Sequence, residues 1–343
     1  MAGSKMSWDK EVRIVSMNLA KVFVCNYNPY ILKPTDVERA NPGKICDRLF
    51  ADYNQYESLV LQKGGQIVDF LAELLSDGKP TVVCFQEATK QSDQLSIPFE
   101  FLYGPGDYDT EDIEEELRYY NSLNFINDNL ERKCGRRIYG VDYFPFKTNR
   151  HVPSFDYGLC ILSTLPILDY GTEFISYPYE YKNNAVTEPR GVLRARIMLP
   201  DGSRYEQLCT HFGFSPEHYP TPFKIRQAVR YLDFVRKLHG SRIISSGDFN
   251  SLPSNSPHLF GYIRKMIERE MTHADIWHPY DPTWLYGKDD FVSSMGWRKK
   301  AGKPDSRIDY IDVFGPIIPV SYEIVHPDGF PSDHAVSIAT VRF

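Results

Sequence analysis

Short apolar runs that end in polar residues recur along the whole of this 343-residue chain. The runs are rich in Val, Ile, Phe and Cys, which is typical of strands buried in a sheet. We predict eight strands on this basis: Val12–Asn18, Thr81–Phe85, Gly158–Ser163, Gly191–Met198, Gln207–His211, Arg242–Ser246, Ile308–Phe314 and Ala335–Phe343.

Two segments between these strands carry apolar residues at helical spacing. Their apolar positions are Val60, Ile67, Leu71 and Leu74 in the first helix, and Ile225, Val229, Leu232 and Val235 in the second. The dipeptide His239-Gly240 is a favourable end for the second helix. Strands and helices alternate, and no linker rich in Pro, Gly or Ser divides the chain. We therefore predict a single α/β domain over residues 11–343, after a disordered tail at residues 1–10.

The segment at residues 98–150 differs in composition from the rest of that domain. It opens with the acidic run Asp107–Glu116 and then becomes basic and aromatic. One interpretation is a solvated surface insertion with ordinary packing aromatics. The other is a wall that holds an anionic substrate by charge and ring stacking. In the second interpretation the substrate-binding residues are Arg136, Arg137, Tyr143 and Arg150.

Charge and cysteine content limit the classes of partner and compartment. The net charge of −6 gives no general attraction to nucleic acid or anionic lipid, so an anionic substrate needs a local basic patch or a bound metal. None of the six cysteines forms a CxxC pair, and we expect them to be reduced. The sequence shows no signal-peptide core and no transmembrane segment. We predict a soluble, cytoplasmic protein, with a mature secreted form as the alternative, and no protein partner can be inferred.

Polar residues at the ends of the predicted strands are the candidate functional residues. The chain contains no Walker loop, dinucleotide GxGxxG, HExxH or GxSxG motif, so nucleotide-cofactor and serine-hydrolase classes have no support. In α/β folds the loops at strand ends converge, so residues distant in sequence can share one site. The candidates are Asn18, Glu87, His211, Asp248, Asn250, Asp309, Asp333 and His334.

The chemistry of these residues indicates a metal-assisted reaction at phosphorus. The four carboxylates among them are hard oxygen ligands of the kind that Mg²⁺ prefers. The histidines, His211 and His334, can supply protons or stabilise charge on a phosphate. Zinc is less favoured, because the candidate ligands are mostly carboxylates and amides.

The order of these fragments resembles the endonuclease/exonuclease/phosphatase superfamily, the group that includes DNase I. The matching pieces are Ser-Met-Asn18, Phe-Gln-Glu87, Gly-Leu-Cys-Ile-Leu-Ser163, Thr-His211, Ser-Gly-Asp-Phe-Asn-Ser-Leu-Pro253, Arg-Ile-Asp-Tyr-Ile311 and Ser-Asp-His334. Each piece is common by itself, and the ordered set covers nearly the whole chain. The resemblance implies a four-layer α/β/β/α sandwich of two facing mixed sheets, with the site at their top edge.

The resemblance also implies a metal site. Glu87, supported by Asn18, is then the principal Mg²⁺ ligand. Asp333 is a second metal-site ligand or a structural support. The implied cofactor is Mg²⁺, for which Mn²⁺ can substitute.

The remaining residues receive catalytic roles from the same resemblance. Asp248 orients or deprotonates the attacking water, and Asn250 contacts the phosphate or the nucleophile. His334 faces the scissile phosphate, held by Asp309, which fixes its tautomer and favours its charged form. His211 donates to a phosphate oxygen as charge builds.

The substrate is less constrained than the reaction, which is attack of water on phosphorus. Hydrolysis of phosphodiester bonds in nucleic acid or nucleotide is the first interpretation, and Ser251–Ser254 is similar to deadenylases. The alternative is a sphingomyelinase-like or phospholipase-C-like activity on a phospholipid headgroup. The stretch Trp277–Trp284 and the strand Gly158–Pro166 favour that alternative. A phosphoinositide phosphatase and a non-catalytic binding module are the less favoured readings.

Overall fold

The computed structural model describes most strands and helices of the chain. The described residues are 10–19, 62–91, 121–147, 155–176, 179–181, 185–187, 189–213, 222–238, 240–252, 254, 259–274, 307–325, 327, 330–332 and 334–343. The predicted tail, the start of the first predicted helix at Val60 and the acidic run Asp107–Glu116 lie outside these ranges.

The first sheet has six strands and mixed pairing. In spatial order it contains β13 (Ile318–Val325), β14 (Val336–Arg342), β1 (Glu11–Asn18), β2 (Thr81–Gln91), β4 (Phe155–Ser163) and β3 (Tyr139–Lys147). The central pair β1 and β2 is parallel, and the other pairs are antiparallel. The carboxyl ends of β1 and β2 therefore lie together at one edge of this sheet.

The second sheet is built on the same plan. In spatial order it contains β11 (Thr272–His273), β12 (Asp309–Phe314), β10 (Ile243–Asp248), β9 (Arg204–His211), β8 (Arg190–Met198) and β5 (Ile167–Ser176). Here the parallel pair is β9 and β10, flanked by antiparallel neighbours. A short hairpin of β6 (Tyr179–Tyr181) and β7 (Ala185–Thr187) stands apart from both sheets.

Helices cover the outer face of each sheet. The helices α1 (residues 62–75) and α2 (Ser122–Cys134) share an apolar core with the first sheet. The helices α3 (Pro222–Lys237) and α4 (Leu259–Glu268) share another with the second sheet. A third core lies between the two sheets. The predicted four-layer α/β/β/α sandwich is confirmed. Within the described part of the chain, no helix is both long and apolar enough to cross a membrane.

Burial of both sheet faces explains why the strands are nearly continuous apolar runs. In β1, Val12 and Ile14 face the second sheet, whereas Val15 and Met17 face α1 and α2. All four side chains are at most 1% exposed. Because alternate side chains point to opposite faces of a strand, a strand covered on both faces favours apolar residues at successive positions instead of at every second one.

The eight predicted strands are all present, with shifted ends, but several other elements were missed. The edge strands β5 and β13 alternate between exposed and partly buried residues, so neither forms an apolar run. Helix α2 begins at the N-cap Asn121, whose side chain accepts from two backbone amides, and ends at Gly135 in a left-handed conformation with φ 62°. Its residues Leu123 and Leu130 are buried in the first core. Residues 121–147 therefore contribute a helix to the outer layer and the edge strand β3 to the first sheet.

The buried face of α3 also differs from the predicted one. Val229, predicted to face the core, is 41% exposed, whereas Lys224 and Gln227 are at most 2% exposed. The apolar pattern predicted a slightly rotated buried face, because the polar side chains Lys224 and Gln227 occupy inward positions. Both lie near the residues of the candidate site, which accounts for their departure from the hydrophobic pattern.

Candidate active site

The strand register brings the predicted polar residues to one edge of the sandwich. In the first sheet Asn18 aligns with Gln86, one residue before Glu87. In the second sheet Asp248 aligns with His211 on the parallel neighbour β9 and with Asp309 on the antiparallel neighbour β12. Because β12 runs antiparallel, its first residue reaches the same edge as the last residue of β10.

A buried hydrogen bond joins the two sheets at this edge. The amide Nδ2 of Asn18 donates to Asp248 Oδ2 over 3.1 Å. Ser332 connects the start of β14 to the same point: its hydroxyl donates to Asn18 O at 2.6 Å and accepts from the backbone N–H of His334 at 3.0 Å. Polar side chains from both sheets thus form one network.

Two carboxylates and a histidine converge in the centre of that network. His334 Nδ1 lies 2.8 Å from Asp309 Oδ2. One ligand atom from each of Asp248, Asp309 and His334 can be chosen so that all lie within 4.8 Å of one another. All three side chains are buried, so their charges are poorly screened by water.

His211 lies beside this group and has a defined hydrogen-bonding pattern. Arg190 Nη1 donates to His211 Nδ1 at 2.9 Å. A guanidinium has no acceptor, so in this contact Nδ1 accepts and a neutral ring carries its proton on Nε2, the tautomer in which Nε2 does not also accept from Asn250 Nδ2. His211 Nε2 lies 3.5 Å from Asp248 Oδ2 and 3.2 Å from Asn250 Nδ2. In the tautomer that the Arg190 contact selects, His211 presents an N–H donor at the edge of the site.

Strained backbone conformations occur at two of the predicted residues. Among the described part of the chain, Glu87 (φ 53°) and Asn250 (φ 46°) are the two non-glycine residues with positive φ. Glu87 lies at a bulge in β2, where the pairing with β4 shifts between Gln86 and Ala88. Left-handed backbone costs on the order of 1 kcal/mol or more and concentrates at functional sites. A bulge with this backbone interrupts the regular strand alternation at Glu87, and bulges beside active sites commonly re-aim a side chain.

Burial and like charge shape the ionisation of the site. Burial, and then the negative charge of Asp309, raises the pKa of Asp248 to about 7. The charge of Glu87 acts in the same direction, which places this carboxylate within electrostatic reach of Asp248. Such a group of carboxylates is unfavourable in a buried site without a cation. Its oxygen-rich donor set therefore fits a divalent metal ion.

The structure brings together Asn18, His211, Asp248, Asn250, Asp309 and His334, with Glu87 nearby. Asp333 and Arg150 lie outside the described residues. The converging metal-type ligands are Asp248, Asp309 and His334, whereas the sequence indicated Asn18, Glu87 and Asp333 for the metal.

Of the residues predicted to bind substrate, Arg136 and Arg137 are not brought to this edge. Arg136 Nη2 donates to Leu75 O, at the end of α1, over 3.0 Å. Arg137 stacks on Tyr139, which is paired with the far end of β4. Both arginines lie at the end of the first sheet opposite Asn18. Tyr143 differs from the two arginines: it pairs with Leu159, which pairs with Gln86, so it lies at the level of the site along the sheet. Its ring packs between the sheets, 5.8 Å from Phe174. The composition of the segment does not indicate at which end of the sheet a basic residue lies, which is why the placement of the two arginines differs from the predicted one.

Three residues that contact the site had no predicted role. These are Arg190, Ser332 and Lys224, whose ammonium donates to Asn250 O. Burial lowers the pKa of Lys224 to about 7, while the charge of Asp248 opposes that shift. A lysine on the apolar face of a predicted helix was the available signal for Lys224.

Close packing beside Asp248 yields a first testable prediction. A Cβ on Gly247 would lie 2.0 Å from the backbone oxygen of Thr210 on β9. We expect Gly247→Ala to force β10 away from β9, lowering the free energy of unfolding by roughly 2–3 kcal/mol and displacing Asp248. Thermal and denaturant unfolding measure this. Gly65→Ala in α1, where a Cβ meets nothing within 4 Å, is the control and should leave stability equal or higher. Equal stability of the two variants would contradict the prediction.

The fold consists of two facing mixed sheets with helices outside them, and one edge carries a carboxylate–histidine cluster. Together with the family match, this combination identifies the class of protein as a phosphoric ester hydrolase. A family model described as "Endonuclease/Exonuclease/phosphatase family" matches residues 68–334, and the chain belongs to that family. Its members are generally dependent on a divalent metal. No curated protein matches the chain by sequence.

Solved structures share the fold at low sequence identity. A family protein from Leptotrichia buccalis has a TM-score of 0.60 at 13% identity, covering 97% of this chain and 100% of its own. One from Beutenbergia cavernae has a TM-score of 0.57 at 15% identity, covering 97% and 72%. A Bacteroides thetaiotaomicron mannosyl-6-phosphatase has a TM-score of 0.52 at 11% identity, covering 97% and 100%. At such identities these similarities establish the fold alone.

Proposed function

We propose that this protein is a Mg²⁺-dependent hydrolase of phosphodiester bonds in nucleic acid or nucleotide, with water attacking phosphorus. The observation that carries the proposal is the buried convergence of Asp248, Asp309 and His334, joined to the first sheet through Asn18. A carboxylate whose pKa is raised by burial and by a neighbouring carboxylate, as that of Asp248 is, needs a compensating cation, and carboxylate oxygens favour Mg²⁺ over softer metals.

The metal would be held by residues of the first sheet. Glu87 on β2 is the principal ligand in this proposal, supported by Asn18 on β1. Asp333, which lies outside the described residues, would be a second ligand or a structural support. When bound, Mg²⁺ neutralises charge on the phosphate oxygens and on the attacking oxygen. The positive φ of Glu87 supports its assignment, because the strained bulge re-aims its carboxylate at a cost that packing alone does not explain.

The second sheet would supply the groups that act on water and phosphate. Asp248 orients the attacking water and accepts its proton. His211 and Asn250 donate to a non-bridging phosphate oxygen, and Arg190 keeps the His211 proton on Nε2. Asp309 holds His334 through Nδ1, which directs Nε2 toward the phosphate. Preorganised donors of this kind stabilise charge that develops in the transition state.

The substrate class is tested by a panel assayed with Mg²⁺ and, in parallel, with EDTA. The panel contains single-stranded DNA, RNA, a dinucleotide, sphingomyelin vesicles, an inositol phosphate and mannose 6-phosphate. The last represents the activity that a structural neighbour is described as having. We expect hydrolysis of the nucleic-acid or nucleotide substrates, lost in EDTA and restored by Mg²⁺ or Mn²⁺. Turnover of sphingomyelin instead would favour the phospholipid alternative, and EDTA-resistant hydrolysis would contradict the metal.

Loss of the principal ligand gives a separate prediction. We expect Glu87→Gln to weaken Mg²⁺ binding at least about 100-fold, because changes to groups that only support a ligand already cost 10- to 100-fold. Isothermal titration calorimetry with Mg²⁺ measures the affinity directly. Glu131→Gln is a matched control, since Glu131 lies on α2 and accepts from the backbone of Ile138. Wild-type affinity in Glu87→Gln would remove Glu87 from the metal site.

A further inference from the structure

Lys224 is a buried lysine whose side chain contacts the candidate active site. It lies in the first turn of α3 and is 2% exposed. Its ammonium donates to the backbone oxygen of Asn250. Lysine is almost never fully buried without a specific contact to compensate for lost hydration. This contact is made to the turn that carries two of the proposed catalytic groups.

The turn at Asp248–Asn250 depends on its backbone geometry. The Asn250 N–H donates to Asp248 Oδ1 at 2.7 Å, and the Asn250 side chain donates to Phe212 O at 2.8 Å. The intervening Phe249 is fully buried. Asn250 itself has left-handed backbone with φ 46°. The Asn250 backbone is therefore held in an unfavourable conformation, and Lys224 donates a hydrogen bond to its carbonyl oxygen.

Packing alone does not account for a lysine at this position. The neighbouring inward residues of α3, Ala228, Tyr231 and Leu232, are buried in an apolar core. An apolar side chain of similar length would fill the same space without the cost of removing an ammonium from water. The amino group at this position is then explained by its hydrogen bond to the Asn250 carbonyl and not by core stability.

We propose that Lys224 is a positioning residue for hydrolysis. By holding the Asn250 carbonyl, it keeps the left-handed turn closed, which aims the Asn250 amide beside His211 and keeps the Asp248 carboxylate fixed. The proposal rests on the proposed function of the same site. Lys224 itself touches no substrate.

Three variants test this role: Lys224→Met, Lys224→Arg and the control Lys237→Met. Lys237 lies on the same helix with a side chain that is 66% exposed. In Lys224→Met we expect kcat to fall about 10- to 100-fold with KM nearly unchanged, because misplacement of a catalytic group by about 1 Å costs this much. Lys224→Arg should restore part of kcat, and Lys237→Met should match wild type. Melting temperature should be unchanged or raised in Lys224→Met. An unchanged kcat, or equal losses in kcat and stability, would overturn the proposal.

Hydrogen exchange at the Asn250 amide tests the same inference without any activity measurement. We expect exchange of this N–H to accelerate at least about tenfold in Lys224→Met, because loss of the hydrogen bond from Lys224 to the Asn250 carbonyl lets the turn open. Amides in β9 should exchange at wild-type rates. Wild-type exchange at Asn250 would overturn the role of Lys224 whatever the activity. If the wild-type protein hydrolysed nothing in the substrate panel, the proposed function would fail, and the exchange result would still decide whether Lys224 holds the turn.

Discussion

Asp248→Asn is expected to abolish hydrolysis while making the metal-free protein more stable. The substitution keeps the shape of the side chain but removes the proton acceptor, and positioned acid–base groups contribute about 100- to 10,000-fold to rate. We therefore expect kcat to fall by roughly three to four orders of magnitude. The gain in stability follows from burial, because an ionised carboxylate beside Asp309 is unfavourable without a cation. Hydrolysis assays and thermal unfolding in EDTA measure the two effects.

The stability difference should depend on pH in a defined direction. The pKa of Asp248 is raised from 3.8 to about 7 on folding, so the unfolded chain loses this proton at lower pH than the folded protein. Between these values the folded state binds more protons, and wild-type stability falls as pH rises. The advantage of Asp248→Asn should thus be small near pH 4, grow toward pH 7 and stay constant above it, reaching a few kcal/mol.

An exposed aspartate provides the control for this comparison. The side chain of Asp233 on α3 is 55% exposed and pairs with Arg236. Asp233→Asn should change stability little at any pH, because exposed ion pairs contribute little. If Asp248→Asn were less stable than wild type at pH 8 in EDTA, the carboxylate would be a net stabilising group and the electrostatic account of the site would be wrong.

The parts of the fold that sequence predicted share one physical property. Strands such as β1 and β10 are covered on both faces, so nearly every position is buried, apolar residues predominate in β1 and open β10, and both strands end at polar residues. Their ends meet at one edge because β1 and β2, and likewise β9 and β10, are parallel. The carboxylates and histidines of the site could therefore be found from where the apolar runs stop.

The parts that sequence missed depend on tertiary contacts. Edge strand β5 has one exposed face, so its alternating pattern lacks an apolar run. The burial of Lys224 was not predicted, because a buried face of a helix is identified by its apolar residues and a lysine does not fit that pattern. Arg136 was misplaced for the opposite reason: its charge suggested a phosphate partner, and its actual partner is the carbonyl of Leu75. An arginine satisfies backbone carbonyls as readily as phosphates, and composition does not distinguish the two.

Asp309→Asn is expected to reduce kcat by roughly 1,000- to 10,000-fold, as does loss of an equivalent carboxylate in a serine protease, where the histidine adopts the wrong tautomer. Asp309 Oδ2 lies 2.8 Å from His334 Nδ1, with both side chains at most 7% exposed. The carboxylate can only accept, so it fixes the proton on Nδ1 and leaves Nε2 to face the phosphate. An asparagine can present its NH₂ group instead, which makes Nδ1 the acceptor and places the ring proton on Nε2. The tautomer with its proton on Nδ1 is then lost. Steady-state kinetics on the best panel substrate measure the loss.

A double-mutant cycle separates this role from direct metal binding by Asp309. If Asp309 acts through His334, then Asp309→Asn combined with His334→Ala should be little slower than His334→Ala alone, because the two changes remove one unit. Mg²⁺ affinity measured by calorimetry should then be nearly unchanged in Asp309→Asn. Additive losses together with weakened Mg²⁺ binding would instead assign Asp309 to the metal. The geometry permits metal binding by Asp309, because Asp248, Asp309 and His334 have ligand atoms within 4.8 Å of one another, close enough to share one ion. The cycle therefore decides which of the two arrangements the converging carboxylates serve.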